Sequence, residues 1–184
     1  MVLENGEPRR ETIVNEFRGA IAHMFEDIVF AFICGSVARG ADSSLSDIDM
    51  MIIVPEVKSS EAKQFRDWYF AFHLRHGYAP DRIYPGEFLS LSDLDAGLEI
   101  ACSSIPVAIL ENASIWEALV WAGMLSGQIC GFTGNWTSFS PFVGRADKIC
   151  KRWISALGPQ LLESEHIDVA LTKLTRLGTL RRDS

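Results

Sequence analysis

Apolar residues recur at helical spacing from Thr12 to Asp27, where Ile13, Phe17, Ile21 and Phe25 form one row with Val14, Ala20 and Met24 beside it. This pattern predicts an amphipathic helix. The run Ile28-Val29-Phe30-Ala31-Phe32-Ile33 follows without a polar residue, as in a strand buried on both faces, and it stops at Gly35. After a segment rich in Ser, Gly and Asp, the stretch Asp47 to Val54 predicts a second strand, ended by Pro55. Ser59 or Ser60 can cap the next helix, whose apolar row includes Ala62, Phe65, Tyr69 and Phe72 and which closes near Gly77. A third, short strand is expected over Asp81 to Tyr84, before Pro85 and Gly86.

The second half reads as helices. Ser92 to Leu98 opens with the capping-box pair Ser92 and Asp95, and Ile115 to Cys130 is strongly apolar. Val143 to Leu157 carries the stripe Ala146, Ile149, Cys150, Trp153, Ile154 and Leu157, stopped by Gly158 and Pro159. A last helix is expected from His166 to Leu177, and Val107 to Leu110 is the one strand-like run. The chain therefore divides near residue 90, into an α/β region over 1–90 and a helical region over 91–184 packed on it.

Composition narrows the classes of function. With 48% hydrophobic residues, eleven Phe and five Trp, the 184-residue chain can build a sizeable core and is not a disordered segment. Its 24 acidic against 17 basic residues give a net charge of −7, which argues against a protein whose main task is gripping a nucleic-acid backbone. Glu4, Glu7 and Pro8 stand where a secretory signal needs a basic and then an apolar run. The apolar stretch Ile115 to Phe132 is broken by Glu117, Gln128 and glycines, so no membrane span is expected. Cys34, Cys102, Cys130 and Cys150 are scattered, which favours a reducing cytoplasm over a disulfide framework or a zinc site.

The chemistry concentrates in residues 34 to 49. Cys34-Gly35-Ser36 reads as a strand-to-helix corner, and a loop then leads to Asp47-Ile48-Asp49 at the start of the second strand. Alternation along a strand points Asp47 and Asp49 the same way while Ile48 and Met50 enter the core. Two like charges held that close repel each other unless a cation lies between them, and a hard divalent ion such as Mg²⁺ answers that need. The backbone N–H groups of Gly35 and Ser36, with the Ser36 hydroxyl, offer an anion a seat beside the pair.

The segment Gly35-Ser36-x-Ala38-Arg39-Gly40, followed by Ser46-Asp47-Ile48-Asp49, closely resembles the signature of the DNA polymerase β-like nucleotidyltransferase superfamily. The resemblance is greatest to its small members, the minimal nucleotidyltransferases and the aminoglycoside nucleotidyltransferase-like proteins. It extends over residues 10 to 90 and implies an α+β fold, with a small mixed β-sheet core, helices on one side, and a helical C-terminal half following. It also implies Asp47 and Asp49 as metal ligands, Gly35 and Ser36 as holders of a nucleoside triphosphate (NTP), and a third carboxylate on the next strand. Asp81 is assigned that place, although Pro80 and Arg82 depart from the family's apolar flanks, with Glu87 as the alternative. The implied activity is Mg²⁺-dependent transfer of a nucleoside monophosphate from NTP to a hydroxyl, releasing pyrophosphate, with two Mg²⁺ ions at the carboxylates.

Other residues bear on this expectation. Arg39 is placed either to reach the triphosphate or to pair with Asp42 or Asp47. Arg145, Lys148, Lys151 and Arg152 end a stretch, 83–144, without Lys or Arg. Their helix either presents a solvated face or lends Arg145 or Lys148 to the phosphates. His73 and His76 are expected to serve the C-terminal dipole of their helix rather than a metal. The acceptor is expected to be a small molecule, for which an acidic segment from Asp93 to Glu117 suits a polycation, or a partner protein such as a helical toxin. The alternative is a non-catalytic binding module on the same fold, pairing through Ile115 to Phe132, the stretch that also suggests a homodimer seam.

Overall fold

The computed structural model describes residues 6–43, 46–82, 85–104 and 113–157. These form two compact units. The first comprises the chain up to Leu91 together with Ile129–Trp136, and the second the described parts of Ser92–Gln128 and of the chain from Thr137 onward. The segment 129–136, which the division at residue 90 placed in the helical region, thus belongs to the first unit.

Helix α1 spans Gly6–Met24 and leads into strand β1, Phe30–Ile33; the five-residue helix α2, Gly35–Arg39, turns the chain toward strand β2, Met50–Val54. Helix α3, Ser59–His76, closes on Gly77 in the left-handed conformation, whose N–H returns to the last turn. Strand β3 is Glu87–Ser90. It follows Pro85 and Gly86 rather than preceding them; of the strand expected over Asp81 to Tyr84, Asp81 and Arg82 are not in a strand and 83–84 lie outside the described residues. Gly86, at φ +70°, takes the chain past Phe65 and Met50 with a clearance that a Cβ would narrow to 3.0 and 3.1 Å, and it therefore serves as an entry into a strand.

In the second unit, α4 spans Leu91–Ser103 and α5 Ala113–Ser126. Strand β4, Cys130–Gly134, returns to the first unit, and α6 runs Trp136–Leu157 with Pro141 inside it. The strand expected at 107–110 and the helix expected at 166–177 lie outside the described residues.

Among the described residues the strands form one mixed sheet in the order β3-β2-β1-β4. Strand β1 is antiparallel to both neighbours, with Ala31 opposite Ile52 and Ile33 opposite Met50 in β2, while β2 and β3 are parallel with Met51 opposite Glu87. One face of the sheet, Ala31, Ile33, Met50, Ile52 and Val54, packs on Ile13, Phe17 and Ile21 of α1 and on Phe65, Tyr69 and Phe72 of α3. Period-2 alternation in the strands thus meets period-3.6 rows in the helices, on one side of the sheet as expected. Phe30, Phe32, Met51 and Ile53 on the opposite face are also fully buried. The fold is α+β, a small mixed sheet followed by a mainly helical C-terminal half.

The second unit has its own anchors. Trp153, 1% exposed, donates its indole N–H to the Ala101 carbonyl over 3.0 Å, and Gly97 lies against the Trp121 ring. No described helix is long and apolar enough to cross a membrane.

Candidate active site

Residues 46–49 precede β2 and are not part of it, so the second strand begins three residues later than its apolar pattern suggests. The segment is nevertheless held at each step. The Cys34 N–H donates to the Asp49 carbonyl over 2.9 Å, which prolongs the β1–β2 ladder, and the Ala79 N–H donates to the Ser46 carbonyl over 3.3 Å. Between them, the Ile48 N–H donates to Nε2 of His73 over 2.8 Å. Ile48 is fully buried in the core while Asp47 and Asp49 are half-buried, as alternation requires.

The corner opposite the carboxylates is built around Gly35. It has φ +68°, and a Cβ there would fall on Oδ2 of Asp49 and 2.7 Å from its Cγ. The missing side chain of Gly35 is thus the space in which the Asp49 carboxylate lies. Helix α2 is fixed from its other end: Val37 and Ala38 are buried, and Arg10 of α1 donates from Nη2 to the Ala38 carbonyl over 2.7 Å. Gly40 closes α2 with its N–H returned to the helix. Beyond it, Asp42 accepts a hydrogen bond from the Tyr78 hydroxyl, whose ring lies 4.2 Å from the Arg9 guanidinium. Among the described residues Arg39 pairs with neither Asp42 nor Asp47.

Two further carboxylates belong to the neighbourhood. Asp81 lies in the loop before β3, its N–H donated to the Tyr69 hydroxyl over 3.2 Å. Glu87 opens β3 opposite Met51, and since paired residues of neighbouring strands share a face, it stands on the face of Asp47 and Asp49. Burial pushes the Cys34 thiol well above its ordinary range, and the charges of Asp49, Asp47 and Glu87 act in the same direction. Burial likewise raises the Tyr69 hydroxyl, with Asp47, Asp81 and Asp49 adding to it. A thiol and a phenol of the first unit thus both lie near the carboxylates gathered at this end of the sheet.

His73 is the residue here whose role its sequence pattern did not show. It is fully buried on α3, its ring 4.0 Å from that of Tyr69. Its neighbour His76 is a structural residue, bonded to Glu16 of α1 over 2.9 Å. Lys148 is exposed on α6 in the second unit, where Arg145 uses its guanidinium on Asp95, donating to Oδ1 and to the backbone carbonyl, both over 2.9 Å.

The residues of the first unit suit a divalent cation with a phosphate ligand. Mg²⁺ is ordinarily held by one or two carboxylates together with phosphate oxygens, not by an all-protein cage. Asp47 and Asp49 supply that pair, and among the described residues no group of three or more His, Cys, Asp and Glu side chains converges to hold a metal alone. A glycine corner, kept free of a side chain beside the pair, leaves backbone within reach of a bound anion.

Comparison with known proteins gives a family match that spans this region. Residues 14–85 match the model of the nucleotidyltransferase domain family, a span running from α1 through both aspartates to the entry of β3. No curated protein and no solved structure gives a significant match to the chain.

Proposed function

We propose that this chain, which carries a nucleotidyltransferase domain over residues 14–85, transfers a nucleoside monophosphate from NTP to a hydroxyl group in a Mg²⁺-dependent reaction that releases pyrophosphate. The observation that carries the reading is the seating of the Asp49 carboxylate in the space left by Gly35, with Asp47 on the same face. In this reading Asp47 and Asp49 hold the metal. Bound Mg²⁺ neutralises phosphate charge and favours the alkoxide form of an acceptor hydroxyl. Gly35 and Ser36 orient the triphosphate through backbone N–H groups and the Ser36 hydroxyl, and Arg39, on the last turn of α2, supplies a cation to it.

For the third carboxylate, the regular β2–β3 register favours Glu87 over Asp81, because it puts Glu87 on the aspartates' face. Lys148 is retained as a phosphate contact to be tested. All four cysteines are free, which suits a reducing compartment such as the cytoplasm. The acceptor is a small polyhydroxylated cation or a hydroxyl side chain of a helical partner protein.

A non-catalytic binding module is the second reading. It draws on one observation, that no group of three metal-ligating side chains converges among the described residues. One experiment separates the two. Purified protein with Mg²⁺ and each α-labelled NTP is offered a panel of hydroxylated small molecules and lysate proteins, in parallel with Asp49→Asn. Label transfer by the wild type, lost in Asp49→Asn, supports the enzyme. No transfer, together with no Mg²⁺-dependent NTP binding by calorimetry, leaves the binding module.

A further inference from the structure

The peptide joining Asp47 to Ile48 presents its N–H to the protein interior. Ile48 is fully buried, so this donor cannot be satisfied by water, and its partner is the ring of a histidine 25 residues away on α3. Such a buried donor is costly if left unpaired. The ring's hydrogen bonds also determine its proton. A backbone N–H can only donate, so Nε2 of His73 must carry the lone pair; a carbonyl can only accept, so Nδ1, 2.9 Å from the Tyr69 carbonyl, must carry the hydrogen. His73 is therefore neutral, with its acceptor nitrogen aimed at one peptide. Burial lowers its proton affinity below the ordinary histidine range, in keeping with this arrangement.

Position gives that bond its importance. The carbonyls of Ser46 and Asp49 are tied to the backbone of Ala79 and Cys34, but Ile48 lies between the two carboxylates, before β2 has begun. Rotation of the Asp47–Ile48 peptide would turn the two side chains away from a common face. Tyr69 and Phe72 pack around the imidazole and hold it in place, with ring centroids 4.0 and 6.3 Å from it.

We propose that His73 is the positioning residue of the Asp47–Asp49 pair: by accepting the Ile48 N–H it fixes the peptide between them and so aims both carboxylates at one bound divalent cation. The proposal rests on the metal-binding role given to that pair above. His73 touches neither metal nor substrate, and it acts through the backbone.

The test uses the full chain, with Mn²⁺ alone as the probe, followed by water-proton relaxation enhancement. His73→Leu, which keeps bulk but has no acceptor, is expected to weaken Mn²⁺ binding about 10- to 100-fold, the range in which outer contacts tune metal sites. His73→Gln, whose side-chain oxygen can stand where Nε2 stood, is expected to restore most of it. Leu and Gln variants with the same affinity as wild type would overturn the proposal. So would equal loss in both, which marks a packing effect without a need for the acceptor. A second measurement does not depend on any variant folding. In uniformly ¹⁵N-labelled wild type, His73 should show an Nδ1-protonated ring and the Ile48 amide should be protected from exchange; an Nε2-protonated ring overturns the proposal outright. Wild type that binds no Mn²⁺ while showing the Nδ1 tautomer and a protected amide removes the metal reading itself, and the aiming role with it. That outcome is distinct from an intact site indifferent to His73.

Discussion

Gly35→Ala adds a single methyl group at the most constrained point of the proposed site. Two costs follow. Holding a non-glycine residue at φ +68° in the left-handed region costs about 1–2 kcal/mol. The new Cβ also falls on Oδ2 of Asp49 and 2.7 Å from its Cγ, with the Asp49 Cβ only 3.0 Å away. Swinging the Asp49 side chain about Cα–Cβ relieves the first two contacts but not the third, so strain of about 1–3 kcal/mol is added, as for overpacking in a core. Gly40→Ala separates the two costs, because Gly40 has almost the same φ, +67°, and nothing within 4 Å of a Cβ. Urea denaturation should therefore place Gly35→Ala about 1–3 kcal/mol below Gly40→Ala. In an Asp49→Gly background, where Oδ2, Cγ and Cβ are all gone, most of that difference should vanish as a coupling term. Mn²⁺ affinity should fall in Gly35→Ala and persist in Gly40→Ala. Equal stability and wild-type Mn²⁺ affinity in both variants would refute the claim that Gly35 makes room for the Asp49 carboxylate.

Other expectations follow from the same structure. Asp81→Asn and Glu87→Gln, compared in Mg²⁺-dependent NTP binding and in label transfer, should separate the two candidate third carboxylates, with Glu87→Gln the more damaging. Gly97→Ala brings a Cβ to 2.8 Å from Trp121 Cε3 and should destabilise the second unit by about 1–3 kcal/mol in urea, while Ser103→Ala on the same helix stays near neutral. With a thiol reagent at pH 8, the exposed Cys102 should be modified first; buried Cys34 and Cys150, whose thiols burial pushes up, should react only on unfolding. Burial holds His73 neutral below the ordinary histidine value, so the unfolded chain takes up a proton near pH 6.5, before the folded one does. Its contribution to stability is then complete above about pH 6.5 and lost as pH falls from there toward the lower folded value. The urea midpoint of wild type should drop between pH 7.5 and 5.5 by more than that of His73→Gln, and parallel curves would contradict this.

Much of the fold could be read in the sequence because local pattern and tertiary demand coincide in it. Strands β1 and β2 are apolar runs with few competing signals, and α1 and α3 place single apolar rows on them. Strand β3, Glu87–Ser90, was not expected because Pro85 and Gly86 look like a terminus from sequence alone. Only the packing of Gly86 against Phe65 and Met50 reveals an entry. Strand β4 was missed for a different reason. Two of its five residues are glycines, both at positive φ, and its pairing with β1 spans about a hundred residues, so neither propensity nor period marks it. The aspartate pair was visible through alternation, and the glycine corner through its place between strand and helix. The use of His73 was not visible, because a histidine three residues from another at a helix end resembles any dipole partner, and its acceptor role appears only when Ile48 is brought to it.

The proposed site is built from segments that secondary structure does not itself hold. Asp47 and Asp49 stand before β2, Gly35 stands after β1, and α2 is too short to be stable alone. They are positioned by bonds from neighbouring elements: Cys34 N–H to the Asp49 carbonyl from the end of β1, Arg10 to the Ala38 carbonyl from α1, and the Ile48 N–H to His73 of α3. The two helices that cover one face of the sheet thus also fix the end that carries the proposed site, one through a guanidinium and the other through an imidazole. That division has an energetic reason. A regular strand satisfies its own backbone groups and carries its side chains at fixed spacing, but a carboxylate pair that must accept a cation and a phosphate together needs open backbone around it. Open backbone is costly unless side chains from rigid neighbours satisfy it, and those side chains then set where the charges point. The net charge of −7 fits the same proposal: the acidic groups at this end of the sheet would repel a nucleic-acid backbone on their own, and would attract phosphate with a divalent ion between them.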